Sequence, residues 1–356
     1  MVQHGASLTR ESGDASIAEA VASGAHDELA PRQQALVEYA LKLTTEPASV
    51  ESTDITALRA FDLDDRAIVD ANQIVAYFNY VNRVADGLGV ELESTWPADL
   101  REPRRYKLAE WARFPTVARD SVPELDLDES REMDRLMIEE FGIPLERMME
   151  NAGRSVAEVC RAQLGGSAAG ARVTVIAGRG GNGGGGLVAA RHLADAGAQV
   201  AIVLSAEPER LAPTTASQWK IARRMGISST HGPVEESDLV VDAIHGYSLR
   251  GDPRTHTADL ISAVSTPLVV AVDVPSGLEV GAGALRTPHV RASATVALAA
   301  PKLGTFAQAN RDAIGDLYVA DISVPRDVFD RLEKPVAGDL FSRGGVVRVP
   351  WRDRSS

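Results

Sequence analysis

The C-terminal two-thirds of the chain alternates between two hydrophobic patterns. From about residue 128 onward, several segments carry hydrophobic residues at the three- and four-residue spacing of an amphipathic helix. Between them lie short runs that are almost wholly apolar and rich in β-branched residues, which is typical of buried strands. The strand runs are 173–178, 199–204, 238–244, 267–274, 294–300 and 317–324. This alternation predicts an α/β fold, a mostly parallel sheet covered by helices on both faces in three layers.

The first 93 residues show helical patterns only. Pro31 suits the first turn of a helix over RQQALVEYALKL, and a longer helical pattern ends near Gly87. Within that longer pattern, Ile68, Val75 and Phe78 lie at helical spacing and predict an apolar face. The sequence therefore predicts a small all-helical segment ahead of the α/β domain.

A proline-rich stretch separates the two patterns. Residues 94–127 hold four prolines, mixed charge and little periodicity, and they predict a linker. The predicted organisation is a helical part at 1–93, the linker at 94–127 and an α/β domain at 128–345.

Composition narrows the choice of partners and compartment. A formal net charge of −13 over 356 residues argues against nucleic acid or an anionic membrane as the main partner. No apolar run approaches the length of a membrane span, and the first residues do not resemble a signal peptide. The single cysteine, Cys160, excludes a disulfide within the chain and fits a reducing cytoplasm.

A glycine-rich stretch follows the first strand run. Seven of the nine residues from Gly178 to Gly186 are glycine, and the helical pattern LVAARHLADAG comes next. A glycine loop between a strand and a helix aims free N–H groups at one spot and favours a phosphate. The Gly178-x-Gly180-x-x-Gly183 spacing fits the dinucleotide fingerprint, although a loop this rich in glycine fits many patterns. A permissive turn is the alternative interpretation.

Polar residues interrupt or follow several of the apolar runs. Asp273 interrupts LVVAVDV, where a carboxylate must be paired, hydrogen-bonded or bound to a cation. It is a candidate general acid/base or ligand-hydroxyl acceptor, or a cap of its own turn. Asn182, Asp242 and Ser276 bring hard oxygen donors from three strand ends, suitable for a hard cation or for loop capping. Lys302 is a candidate to neutralise a phosphate or assist Asp273, or is a solvated surface side chain.

These segments, in order, resemble the NAD(P)H-hydrate epimerase family, the YjeF N-terminal domain. The resemblance starts at REMDRLMIEEFGIPLERMMENAGRSVAE and continues through GRGGNGGGGLVAARHL, VVDAIHGYSLRG, VVAVDVPSGLEV and APKLGTF. It covers about residues 128–345 and implies a Rossmann-like fold. The implied activity interconverts the two epimers of hydrated NAD(P)H, a repair reaction, with one potassium ion and commonly a homodimer.

The resemblance also assigns residues. It implies potassium ligands at Asn182, Asp242 and Ser276, and Asp273 as the catalytic acid/base, beside which we place Lys302. The implied contacts to the dinucleotide substrate are Gly181, Asn182, Gly183, Gly184, Gly185, Gly246, Tyr247, Ser248, Leu249, Arg250, Gly251, Asp252 and Asp273.

Two loop positions depart from the family pattern and keep other functions open. Gly181 stands where the family has Asn, and Gly185 stands where it has Asp. A non-catalytic nucleotide-binding or interaction module on the same fold is therefore the main alternative. A nicotinamide-dependent dehydrogenase is less favoured, because Glu207 lies beyond the end of the second strand run and the VDVPSG and APK segments are left unexplained.

The helical part has a resemblance of its own. Residues 31–93 are similar to the C-terminal half of AhpD-like, peroxidase-related proteins of the carboxymuconolactone decarboxylase superfamily. Redox members of that superfamily work through a Cys-x-x-Cys on an upstream helix, whereas the first 30 residues here contain no cysteine. We therefore expect no thiol peroxidase activity, and a role in packing or association instead.

Overall fold

The chain divides into two compact units, a helical one at Met1–Arg113 and an α/β one at Phe114–Ser356. The computed structural model describes residues 12–87 and 114–351, apart from 24–25, 27–28, 46, 233, 235 and 267. Of the predicted linker, residues 94–113 lie outside the described residues. Among the described residues, no helix combines the length and apolar character needed to cross a membrane.

The first unit is built from helices, as predicted. They are α1 (Ala15–Ser23), α2 (Pro31–Thr45), α3 (Ser52–Arg59) and α4 (Asp65–Gly87). Its core is a small cluster around four buried side chains, Tyr39, Leu58, Leu63 and Ile68. The Tyr39 hydroxyl accepts a hydrogen bond of 2.6 Å from Asn72, so α2 and α4 are joined by a polar contact as well as by packing.

The apolar face predicted for α4 is divided between core and surface. Ile68 is buried, Val75 is half-buried and Phe78 is 38% exposed. Ile74 and Tyr77, which the prediction omitted, are 58% and 62% exposed. The proposed similarity of this unit to AhpD-like proteins stays a prediction.

The second unit alternates strands and helices. Its helices are α5 (Leu127–Arg135), α6 (Leu145–Gln163), α7 (Gly181–Asp195), α8 (Pro213–Arg224), α9 (Thr255–Ser262), α10 (Arg311–Ile314) and α11 (Arg326–Arg331). Its strands are β1 (Arg172–Ala177), β2 (Gln199–Leu204), β3 (Ser228–Thr230), β4 (Leu239–Ala243), β5 (Val269–Val272), β6 (Leu278–Glu279), β7 (Ala284–Leu285), β8 (Ala294–Leu298), β9 (Asp316–Ala320) and β10 (Val346–Val349).

Among the described residues, eight strands form one sheet in the order β10-β9-β8-β5-β4-β1-β2-β3. All neighbours are parallel except β10, which pairs antiparallel with β9. The chain order reverses direction between β1 and β4, which is the switch point where sheets of this kind bind ligands. The carboxyl ends of β1, β4, β5 and β8 therefore lie at one edge, where the sequence placed the candidate chemistry.

The three-layer α/β prediction is confirmed. Side chains on β1 alternate between faces: Val175 packs with α6 and α7, whereas Ile176 packs with Leu260 of α9 on the other side. All six predicted strand runs form strands. The edge strands β3 and β10 were not predicted, because β3 is short, polar and exposed and β10 follows a glycine-rich turn.

Residues 114–126 form the first segment of the α/β unit and pack against the rest of it. The Phe114 ring lies edge-on to Tyr318, with ring centroids 5.2 Å apart. The backbone of Leu125 bonds to Pro301 and Leu303 at 2.9 and 2.8 Å, which places this segment directly over Lys302. The segment leads into α5, which opens with a capping box between Asp126 and Glu129.

Candidate active site

The glycine-rich stretch is mostly helix. The sequence suggested a loop through Gly186, but α7 begins at Gly181, so only Gly178 to Gly180 form the turn after β1. The reason is close packing. A Cβ on Gly183 would lie 1.8 Å from the carbonyl oxygen of Gly178, and one on Gly186 would lie 2.4 Å from the Ala243 side chain. These glycines let α7 sit against the sheet, and they leave its N-terminus at the switch point.

The two positions that depart from the family pattern are not packing glycines. A Cβ on Gly181 would meet no atom within 4 Å, and one on Gly185 would meet only Val272, at 3.8 Å. Val272 directly precedes Asp273 in the chain. An added Cβ atom therefore makes no close contact at either position.

Asn182, Asp242 and Ser276 are brought together, with the backbone of His245 at their centre. Asn182 Nδ2 donates to the His245 carbonyl at 2.8 Å, and the His245 N–H donates to Ser276 Oγ at 2.9 Å. Ser276 binds the carboxylate of Asp242 through its hydroxyl at 2.6 Å and its N–H at 2.7 Å. The loops that follow β1, β4 and β5 thus converge on one group of oxygen atoms, which we call the oxygen cluster.

Asp242 is fully buried and has only neutral donors. Besides Ser276, it accepts a bond of 3.3 Å from the Ile244 N–H. Among the described residues, no Lys, Arg or His side chain forms an ion pair with it. Burial raises its pKa to about 6, and the bonds from Ser276 and Ile244 oppose that rise without cancelling it. A bound cation would supply the missing positive charge.

Asp273 lies at a sharp turn that ends β5. It has φ +67°, and the Val274 N–H donates to the Val272 carbonyl at 2.8 Å across it, which makes a strained γ-turn. The same turn ends β8, where Ala299 has φ +65° and Ala300 donates to Leu298 at 2.8 Å. Strain of this kind in a non-glycine residue is characteristic of functional sites.

Lys302 is buried and holds one oxygen of Asp273. Its ammonium donates to Asp273 Oδ1 at 2.7 Å and to the carbonyls of Leu298 and Ala300 at 3.0 and 2.8 Å. All three of its protons are therefore used, so the structure does not support a solvated surface lysine. The Leu298 N–H also donates to Oδ1, at 3.2 Å. Asp273 Oδ2 receives no bond from the described residues and is the oxygen left to act on a ligand.

A third carboxylate, Asp134 on α5, lies beside this pair and was not identified from the sequence. Tyr247 donates its hydroxyl proton to Asp134 Oδ2 at 2.5 Å. Burial raises the pKa of Asp134, the bond from Tyr247 and the charge of Lys302 oppose that rise, and the charge of Asp273 adds to it. Its helix carries alternating charges, and nothing in that pattern distinguishes Asp134 from the carboxylates exposed on the same helix.

The predicted substrate contacts on the loop after β4 are mostly not joined to the site by the contacts that the structure shows. Gly246 lies against Asn182, and a Cβ on this glycine would be 3.3 Å from the Asn182 Cβ. Ser248 and Arg250 are exposed, and Asp252 accepts a bond of 3.3 Å from the Thr287 N–H. The structure brings none of these last three into contact with Asp273, so their role in binding stays a prediction.

Comparisons with known proteins identify the family to which the region containing this site is similar. A family model described as YjeF-related protein N-terminus matches residues 145–304. The NAD(P)H-hydrate epimerase of Dehalogenimonas lykanthroporepellens is 36% identical over 242 residues, which are 67% of this chain and 97% of that protein. The NAD(P)H-hydrate epimerase of Rhodopirellula baltica is 32% identical over 216 residues, 58% of this chain and 87% of that protein.

A longer relative and a solved structure are also similar to this chain. The bifunctional NAD(P)H-hydrate repair enzyme Nnr of Hyperthermus butylicus is 42% identical over 196 residues, 52% of this chain but only 36% of that enzyme. The crystal structure of yeast ynu0, YNL200c, matches with a TM-score of 0.55 and 27% identity, covering 63% of this chain and 99% of that one. By these similarities the chain belongs to the NAD(P)H-hydrate epimerase family.

Proposed function

We propose that the protein interconverts the two epimers of hydrated NAD(P)H. The observation that carries this proposal is Asp273, a buried carboxylate on a strained turn with one oxygen fixed by Lys302 and the other unbonded. It lies beside the switch point and the N-terminus of α7, where the phosphates of a dinucleotide bind favourably. The names of the relatives support the same substrate.

The reaction exchanges the hydroxyl group on one carbon, and protons must be transferred to the departing oxygen and from the incoming one. Hydration adds water across an enamine, so the hydroxyl sits on the ring carbon next to the nitrogen. That hydroxyl leaves as water once it is protonated, the nitrogen lone pair stabilises the resulting cation, and water returns to the opposite face. Asp273 Oδ2 takes the proton from the returning water, a general-base step.

Replacing Asp273 tests this role. Asp273→Asn keeps the size of the side chain and removes the base, so we expect kcat for the separated epimers to fall by about 10²–10⁴-fold. Asp238→Asn is a matched control, because Asp238 precedes β4 at the opposite edge of the sheet and pairs with Arg172. If wild type and Asp273→Asn bind the dinucleotide and both show only the uncatalysed rate, the epimerase proposal is wrong.

We propose that the oxygen cluster of Asn182, Asp242 and Ser276 holds one potassium ion. The donors are carboxylate, amide and hydroxyl oxygens, which suit a hard cation. The buried charge of Asp242 has no cationic partner among the described residues, which favours the same conclusion. When bound, potassium would supply positive charge beside the phosphates of the substrate.

Thermal unfolding tests the potassium site without reference to activity. Potassium should raise Tm relative to a bulky organic cation at equal ionic strength, by mass action on the folded state. Asp242→Asn should lose that difference, while Asp238→Asn should keep it. Equal melting curves for the wild type in both salts would contradict the site.

One observation favours a second candidate, a nucleotide-binding module without catalysis. Gly181 and Gly185 leave space where the family pattern has polar side chains. Binding of the dinucleotide with no acceleration by wild type, and acceleration by Gly185→Asp, would establish this alternative.

We also propose that the protein is a cytoplasmic homodimer. The family resemblance supports the dimer. A single buried cysteine, Cys160, whose pKa is raised by burial, is compatible with a reducing compartment. Light scattering on the full chain and on a chain lacking residues 1–92 would measure the assembly and the part of the helical unit in it.

A further inference from the structure

Asp273 alone leaves half of the proposed reaction without a proton donor. Its Oδ1 is ion-paired with the Lys302 ammonium at 2.7 Å, and its Oδ2, which receives no bond from the described residues, is the oxygen placed to accept a proton. The departing hydroxyl, however, must receive a proton before the carbon–oxygen bond breaks. Acid and base roles in one site are commonly divided between two groups in different surroundings.

The packing of α5 brings a second carboxylate to this site. Met133, which precedes Asp134 on α5, and Met137, two residues beyond the end of α5, are buried in a cluster with Ala299 and Ala300. The Ala300 carbonyl is one of the three acceptors of the Lys302 ammonium. The last turn of α5, which carries Asp134, is therefore packed against the same turn that positions Lys302.

The hydroxyl of Tyr247 reaches Asp134 from the other side of the site. Tyr247 lies on the loop after β4, and its ring packs on a cluster that includes Val274 and Leu278, next to Asp273 in the chain. Its hydrogen bond to Asp134, at 2.5 Å, joins two elements more than a hundred residues apart. Resting on the proposed epimerase function, we propose that Tyr247 is the acid that protonates the departing hydroxyl, with Asp134 as the positioning residue that supplies and takes back its proton.

The proposed step balances without any further reactant. For this step Asp134 is protonated and donates to the Tyr247 oxygen, which reverses the bond from Tyr247 to Asp134 that the structure shows. Tyr247 then gives its hydroxyl proton to the leaving oxygen and receives the proton of Asp134. The carbon–oxygen bond breaks with its electron pair on oxygen, which leaves as water, and the ring nitrogen forms the C=N bond. Water then adds to the opposite face and its proton passes to Asp273 Oδ2. The proton on Asp273 returns to Asp134 through solvent before the next turnover in the same direction, and the reverse epimerisation uses the two groups in exchanged roles.

The charged surroundings fit this division of roles. Asp134 is influenced by Tyr247, Lys302 and Asp273, and Tyr247 by Asp134, Asp273 and Arg131. Burial raises the pKa of Asp134, so this carboxyl holds a proton at a higher pH than an ordinary aspartate does. Burial raises the pKa of Tyr247, and the charge that Asp134 carries once it has given up its proton adds to that rise, so the phenol remains protonated at neutral pH.

The test measures kcat, KM and their pH dependence with separated epimers of the NADH hydrate as substrate. We expect Asp134→Asn and Tyr247→Phe each to lower kcat by about 10²-fold with KM changed less than about threefold. The double variant should be no slower than the slower single one, because the two groups act as one unit. We expect the wild-type rate to decline as pH rises and the Asp134–Tyr247 pair loses its proton. Both variants should lose this decline.

A matched control separates this role from a structural one. Asp128→Asn makes the same replacement on the same helix, at a side chain that is 90% exposed and pairs only weakly with Arg131, and it should leave kcat and the pH profile unchanged. If the Asp134 and Tyr247 variants lower stability or raise KM but keep the wild-type kcat and pH profile, the pair is structural and the inference is overturned. A wild-type protein without epimerase activity would instead overturn the proposed function, and this inference with it.

Discussion

Asp242 and Asp273 lie at the ends of adjacent parallel strands, yet their surroundings differ in one respect. Asp273 has a buried ammonium at 2.7 Å, whereas Asp242 has only hydroxyl and amide donors. The charges of these two buried carboxylates are thus compensated in different ways. The protein supplies a positive charge at Asp273, whereas none of the described residues supplies one at Asp242. This difference separates the proposed proton-transfer group from the proposed cation ligand.

The largest effect is expected from removing the ammonium. Lys302→Met has a similar length but leaves the Asp273 carboxylate buried with only the Leu298 N–H, and breaking a buried ion pair destabilises by about 3–5 kcal/mol. Urea unfolding at pH 7 measures the change. Adding Asp273→Asn to Lys302→Met should recover part of the loss, because the unpaired charge is then gone. If Lys302→Met unfolds at the wild-type urea concentration, the ion pair does not distinguish the two aspartates.

The next effect is a pH dependence at Asp242. Its pKa is about 6 in the folded protein and near 3.8 when unfolded, so the folded state binds more protons between these values. The contribution of Asp242 to stability is therefore complete below about pH 4 and is lost as pH rises through about 6. The difference corresponds to roughly 3 kcal/mol at most.

Comparison with Asp242→Asn isolates this contribution from the other titrating groups. The unfolding free energy of wild type relative to Asp242→Asn, measured in potassium-free buffer, should fall between about pH 4 and about pH 6.5. Potassium should reduce the fall, since a cation favours the charged form. A difference that stays constant over this range would show that Asp242 is stabilised as a charged group by the protein alone.

How much of this site could be predicted depends on whether the signal is local. Asp242 and Asp273 were candidates from the sequence because a charged residue that interrupts an apolar strand run is easily recognised there. Lys302 remained ambiguous because two of its acceptors are carbonyls at Leu298 and Ala300, exposed by a γ-turn that the sequence does not reveal. The sequence did not indicate Asp134 as a site residue, because its proposed role depends on a contact with Tyr247, 113 residues away.

The fold shows the same limit. Buried strands were predicted because sheets covered on both faces require continuous apolar runs. The glycine-rich stretch was interpreted as a loop because glycine is unfavourable in helices. The structure makes it the start of α7, since the approach of Gly183 to Gly178 and of Gly186 to Ala243 leaves no room for a side chain. Tertiary packing outweighs propensity here, and only the three-dimensional arrangement shows it.

The smallest change in stability is expected at Gly186 and Gly185 of α7, which face β4 and β5 respectively. Gly186 packs against Ala243, next to Asp242, and a Cβ there would lie 2.4 Å from the Ala243 Cβ. Gly186→Ala should therefore destabilise by about 1–3 kcal/mol, and it should weaken the potassium effect on Tm by pushing Asn182 away from β4. Gly185→Ala meets only Val272, at 3.8 Å, and replaces glycine inside a helix, so it should stabilise by about 0.5–1 kcal/mol. Equal Tm values for the two variants would show that α7 adjusts freely against the sheet, and that the oxygen cluster is not fixed by its packing.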